Sequence, residues 1–152
     1  MMTIRKQLTV EAPLDRAFRV FTANMGAWWP KDHHIGRAAL KDCLIEPKVN
    51  GRWYELGEDG TECEWGKVLE WDPPRRLVLA WQLNEGFKYD PALVTEVEVT
   101  FTLLGPKQTR VDFEHRNLER FGEAAERLRG LMGDGWGQIL ESYKQTAVAE
   151  AA

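Results

Sequence analysis

The sequence predicts an α+β fold: a curved antiparallel sheet of about seven strands covered by one long C-terminal helix, with two short helices after the first strand. Three observations carry this. Apolar and polar residues alternate through most of residues 42–116, interrupted by turn residues. Leu118 to Ala149 repeats at helical spacing, with Leu128, Met132, Trp136, Ile139 and Tyr143 on one face. A one-sided helix and a one-sided sheet each need an apolar partner, and where they fail to touch they leave a pocket.

Thr3 to Val10 reads as the first strand, with Ile4, Leu8 and Val10 on one face and Lys6 interrupting it. Pro13 to Thr22 is a short helix: proline suits a helix start, and Leu14, Ala17, Phe18 and Phe21 follow at i, i+3, i+4, i+7. Asn24 and Gly26 stop or bend it, and Ala27-Trp28-Trp29-Pro30 makes a second short helix or turn. His33, His34 and Gly36 fall in a polar loop. Asp42 to Lys48 and Arg52 to Leu56 are strands, with Asn50-Gly51 as a two-residue hairpin between them. After the Asp59-Gly60 turn, Cys63, Trp65, Lys67, Leu69 and Trp71 take one face and Glu62, Glu64 and Glu70 the other. Pro73-Pro74 leads to Arg76 to Leu83, with Leu77, Leu79, Trp81 and Leu83 inward. Asn84 to Pro91 is a longer loop carrying Phe87 and Tyr89. Val94 to Leu104 places Val97, Val99, Phe101 and Leu103 inward, and Thr109 to Arg116 returns with Val111, Phe113 and His115 inward. Gly130, Gly133, Gly135 and Gly137 crowd the last segment, each costing about 1 kcal/mol in a helix interior. Two helical pieces are therefore expected, Leu118 to Leu131 and Gly135 to Ala149, joined by a bend or continuing through a weakened turn, with Asp134 capping the second.

At 152 residues the chain suits a single domain, residues 1–152. A net charge of −4 lacks the basic stripe that general nucleic-acid binding needs. No apolar run approaches the length of a membrane span, and the N-terminus alternates instead of forming a signal-peptide block. Two cysteines, Cys43 and Cys63, are too few for a disulfide scaffold, and a reduced cytoplasmic protein is expected. Seven tryptophans stand out: they build either a bulky core or an aromatic-lined cavity.

Several blocks, taken in order, resemble the SRPBCC superfamily of START and Bet v 1-like domains, in the branch similar to the C-terminal domain of the activator of Hsp90 ATPase. They are Ala12-Pro13 with Ala17-Phe18, Trp28-Trp29-Pro30, Asn50-Gly51-Arg52-Trp53-Tyr54, and Gly66-Lys67-Val68 leading to Pro73 and Arg76-Leu77. Glu114-His115-Arg116 and Gly135-Trp136 complete them. The resemblance implies a helix-grip architecture with a cavity between sheet and long helix. It also implies a range of roles: carriers of hydrophobic molecules, polyketide aromatase/cyclases and a co-chaperone domain.

The chain is therefore expected to bind a small hydrophobic molecule without a cofactor. The expected lining is Trp28, Trp65, Lys67, Trp81, Phe101, Phe113, His115, Trp136 and Ile139, with Phe87 and Tyr89 at a gate. Two alternatives stand beside it: a cyclase- or hydratase-type enzyme using His115 as acid or base, and a chaperone-associated or homodimeric interaction module. His115 is either such a group or a buried histidine with structural partners. Lys67 points inward and pairs with Glu55, or lies at the rim with its amine in water. His33 and His34 lack the further ligands a metal needs; His34 would line the pocket mouth if it turned inward. The one serine, Ser142, sits late in the helix, so acyl-enzyme chemistry is not expected.

Overall fold

The computed structural model describes residues 2–151. Its elements are β1 (Thr3–Val10), α1 (Leu14–Thr22), α2 (Met25–Trp28), β2 (Leu40–Ile45), β3 (Arg52–Gly57), β4 (Glu62–Asp72), β5 (Arg76–Trp81), β6 (Thr95–Gly105) and β7 (Gln108–Arg116). A 3-10 turn over Leu118–Ala124 leads into α3 (Ala125–Ala151). The seven strands form one antiparallel sheet in the order β1-β7-β6-β5-β4-β3-β2, so β1 skips to the far edge and the rest is a meander. This is the helix-grip arrangement: α1, α2 and α3 close the concave side of the sheet.

Register explains where side chains point. β6 and β7 pair Val97 with His115, Val99 with Phe113 and Phe101 with Val111, all buried. Their other face carries Glu96, Glu98, Glu114 and Arg116, tied across strands by Arg116 to Glu96 and Glu98. Leu103, expected inward, is exposed: it occupies one of the last paired positions before the hairpin turn.

β4 departs from simple alternation. Its pairing with β3 shifts between Gly66 and Glu64, which makes Trp65 an extra residue; its pairing with β5 shifts between Val68 and Glu70, which makes Leu69 extra. Each bulge inverts the alternation that follows it. Trp65 stays inward, Val68 turns inward, and the second bulge restores the register in which Trp71 opposes Leu77. Lys67, expected inward, is exposed on the outer face. Gly66 is forced between the bulges, since a Cβ there would stand 1.7 Å from the Ala80 carbonyl oxygen.

Two further expectations are corrected. The β2–β3 connection is not a two-residue hairpin: β2 ends at Ile45, β3 starts at Arg52, and six residues intervene. Asn50 adopts φ 67° there, and its amide donates to the Val68 carbonyl instead of to β2. The C-terminal helix does not break at its clustered glycines. It runs unbroken from Ala125 through Gly130, Gly133, Gly135 and Gly137, so Asp134 caps nothing. The break lies upstream at Gly122, whose φ of 69° and ψ of −133° only glycine adopts freely.

The stripe Leu128, Met132, Trp136, Ile139 and Tyr143 is buried as its spacing predicts. The Tyr143 hydroxyl donates to the Ala17 carbonyl at 2.7 Å and Ser142 Oγ to the Trp28 carbonyl at 2.7 Å, fastening α3 to the two short helices. Among the described residues no helix is long and apolar enough to cross a membrane.

Candidate functional site

Most of the space under α3 is filled. Phe18, Phe21, Trp28, Phe101 and Tyr143 pack against one another at ring separations of 5.1–5.8 Å. A cavity of about 500 Å³ opens at the other end, between α3, the ends of β4 and β5, and the loops after α2 and β5.

Its walls are built by a closed ring of indoles. Trp29 meets Trp65 at 4.9 Å, Trp65 meets Trp53 at 5.6 Å, and Trp53 meets Trp81 at 5.7 Å. Trp81 meets Trp136 at 5.7 Å, and Trp136 returns to Trp29 at 5.8 Å. Trp53 stands behind the other four, fully buried; Trp29, Trp65, Trp81 and Trp136 line the space. Leu83, Met132 and Ile139 fill the gaps, and Phe87 and Leu131 form an exposed apolar lip.

A buried indole N–H is costly to leave unpaired; Trp53 Nε1 has no hydrogen-bond partner among the described residues, but at three of the lining indoles the partner fixes the ring orientation. Trp29 Nε1 donates to the His33 carbonyl at 2.8 Å, which ties the loop to α2. Trp65 Nε1 donates to Glu55 Oε1 at 2.9 Å. Trp136 Nε1 donates to His115 Nδ1 at 3.1 Å.

Of the residues expected from sequence, Trp65, Trp81, Phe87, Trp136 and Ile139 line the cavity. Trp28, Phe101 and Phe113 are inward but belong to the packed core, because parity assigns a face and not a position along it. Tyr89 lies in the right loop but pairs back to Leu83, outside the lining. Lys67 is on the wrong face.

His115 is inward, as expected, yet it does not reach the cavity. It is completely buried behind Trp81 and Trp136. Its Nδ1 accepts from Trp136, so Nε2 carries the proton and donates to Thr95 Oγ1 at 2.7 Å; Thr95 in turn donates to the Trp81 carbonyl at 3.4 Å. Burial pushes its pKa down to about 3, so the ring is neutral over the ordinary pH range. It is the structural alternative that this geometry fits: His115 orients Trp136, one wall of the cavity.

Glu55, the partner in one of the two alternatives for Lys67, does not pair with it. Glu55 is buried, has no cationic partner among the described residues, and is held by three donors: Ile35 N at 2.6 Å, Gly36 N at 3.0 Å and Trp65 Nε1. It anchors the loop after α2, which brings Asp32, His33, His34 and Ile35 to the cavity. His33 Nδ1 donates to Asp32 Oδ1 at 2.8 Å, and that bond, then the His33 charge, holds the Asp32 carboxyl below its usual range. His34 Nδ1 bonds the Gly36 carbonyl at 2.8 Å. Among the described residues no group of three or more His, Cys, Asp or Glu side chains is placed to hold a metal ion.

Sequence reasoning missed Trp29, Asp32, His33 (placed only in a polar loop), Ile35, Leu83, Leu131, Met132 (placed only on the helix core stripe), Asp134, Gly135 and Gln138. A signal existed for three of them. Leu131, Gly135 and Gln138 stand at i, i+4, i+7, a stripe flanking the buried face of α3.

A sheet curled around a long helix, with a hollow at one end, is the architecture of the helix-grip proteins. Residues 11–147 match the family described as activator of Hsp90 ATPase homolog 1-like protein, and the chain belongs to that family. It is similar to the solved structure of an anthrahydroquino-gamma-pyrone synthase, Txn09, complexed with SUM, at 35% identity and a TM-score of 0.69 over 95% of this chain and 96% of that one. It is similar also to the self-sacrificing resistance protein CalC from Micromonospora echinospora, at 34% identity and a TM-score of 0.75 over 99% and 96%. The Aha1 dimer from Colwellia psychrerythraea shares the fold at 17% identity, with a TM-score of 0.68 over 97% of each chain. Comparison with curated proteins gave no match.

Proposed function

We propose that this protein binds a flat, largely apolar aromatic molecule in the indole-walled cavity. The observation that carries this reading is the cavity itself: about 500 Å³, walled by four tryptophans and lipped by Phe87 and Leu131. That volume falls within the ordinary range for small-molecule sites, roughly 300–1,000 Å³. Rigid aromatic walls favour a rigid aromatic guest, because edge and offset contacts add roughly 0.5–1.5 kcal/mol per ring pair beyond area burial. A flexible chain of equal area would lose rotational freedom there. The name of the synthase at 35% identity points to a polycyclic aromatic, which agrees in chemical class.

The acid–base role considered for His115 is not adopted, since its ring is sealed behind the walls and both nitrogens are engaged. Isothermal titration with 2-methoxynaphthalene tests the binding reading. Saturable one-to-one binding with a Kd in roughly the micromolar range is expected, tighter than for a linear alcohol of similar apolar area. Absence of saturable binding, or a preference for the linear chain, would overturn it.

A further inference from the structure

We infer that His34 selects the guest, and that the guest carries a hydroxyl donor on its ring edge, phenol or enol in kind, which His34 Nε2 accepts. This rests on the aromatic-guest reading above and adds the polar group that orients the ring.

His34 Nδ1 lies 2.8 Å from the Gly36 carbonyl oxygen. A carbonyl can only accept, so Nδ1 carries the proton, and in the neutral ring Nε2 is left as a bare acceptor. His34 is half-buried and lines the cavity, and Nε2 has no partner among the described residues. Its turn is held rigidly. The Glu55 carboxylate receives the amides of the next two residues, Ile35 and Gly36, and the indole of Trp65. One buried group thus sets both the imidazole and a wall of the same cavity. Gly36 fits tightly at this point: a Cβ would stand 3.0 Å from Glu55 Oε2 and 3.1 Å from Cys63 Sγ, so those side chains would have to give way by a few tenths of an ångström.

The other polar lining groups are poorer selectors. Asp32, Asp134 and Gln138 are exposed, and His33 is tied through Nδ1 to the side chain of Asp32, itself 86% exposed, instead of to the backbone, so its ring is not held in place as that of His34 is. Water competes at such groups, whereas a hydrogen bond made beside indole walls is not diluted in this way. A hydroxyl fits His34 better than a cation does, because the walls offer little to replace the hydration of a full charge.

The test is titration of 2-naphthol and 2-methoxynaphthalene, which differ in the O–H, into wild type and His34→Asn. The asparagine amide can still donate to Gly36 but leaves no distal acceptor. Wild type is expected to bind 2-naphthol about tenfold more tightly than its methyl ether, the worth of one net hydrogen bond. His34→Asn is expected to bring that ratio close to one, because the two probes share every contact except the one the hydroxyl makes. Nitrogen NMR of wild type gives an independent reading: 2-naphthol should shift the unprotonated Nε2 resonance of His34 and the ether should not. Equal affinity for the two probes in wild type, a ratio that survives His34→Asn, or an unmoved Nε2 resonance would overturn the inference and leave the aromatic reading standing. Failure of both probes to bind wild type would remove the two together.

Discussion

Gly130 and Gly135 lie inside the same unbroken helix, and a Cβ built on either meets nothing within 4 Å. Alanine should therefore add helix propensity without a clash. The expected gain is about 1 kcal/mol at each site, the difference between glycine and alanine in a helix interior. For a chain of this size it raises Tm by roughly 2–4 °C per site. The sites differ in what they face. Gly130 is exposed and away from the cavity, whereas Gly135 lines it. Gly130→Ala should raise stability and leave binding of 2-methoxynaphthalene unchanged. Gly135→Leu should keep the fold while filling the space where a guest would lie, and weaken binding by about tenfold or more, several lost ring contacts. Chemical denaturation and isothermal titration read the two effects separately. A loss of stability in Gly130→Ala would refute the reasoning. It would mean that the helix bends at its glycines, as their number first suggested.

Two other substitutions test the interior. His115 stays neutral in the fold because burial lowers its pKa to about 3, while the unfolded ring titrates near 6.5. The unfolded state binds the extra proton between those values. Stability is thus full above pH 6.5 and falls by about 1.4 kcal/mol per pH unit as pH drops toward 3. Denaturation at pH 6.5 and pH 5 should differ by about 2 kcal/mol more in wild type than in His115→Leu, and equal slopes would contradict this assignment. In β4, Lys67→Ala should change stability by less than about 0.5 kcal/mol, and Val68→Ala should cost roughly 2 kcal/mol. The reverse order, read by urea unfolding, would mean that the bulges are absent.

The fold was legible because periodicity reports faces. Val97, Val99, Phe101, Phe113 and the α3 stripe are buried as their spacing predicts. Parity fails wherever a residue is inserted. Nothing in Cys63-Glu64-Trp65-Gly66-Lys67 announces a bulge except its glycine, which fits against the Ala80 carbonyl. Glycine density in the last helix was misleading for another reason. Tertiary packing of one apolar face outweighs about 4 kcal/mol of unfavourable propensity from four glycines.

The cavity was only partly legible. Burial of Trp65, Trp81 and Trp136 follows from their faces, but the placing of the loop after α2 does not. That loop is positioned by Glu55, a charged residue on an inward strand face whose partners are backbone amides. Backbone donors leave no trace in a sequence. His34 became a cavity residue for that reason, while His115, more suggestive by parity, is sealed by its own hydrogen bonds.

The most direct measurement is proton NMR of wild type saturated with 2-methoxynaphthalene, read for nuclear Overhauser contacts between the guest and assigned indole rings. Contacts to Trp29, Trp65, Trp81 and Trp136, with none to the buried Trp53, are expected of a guest in this cavity. Saturable binding without contacts to those four rings, or no binding at all, would contradict it.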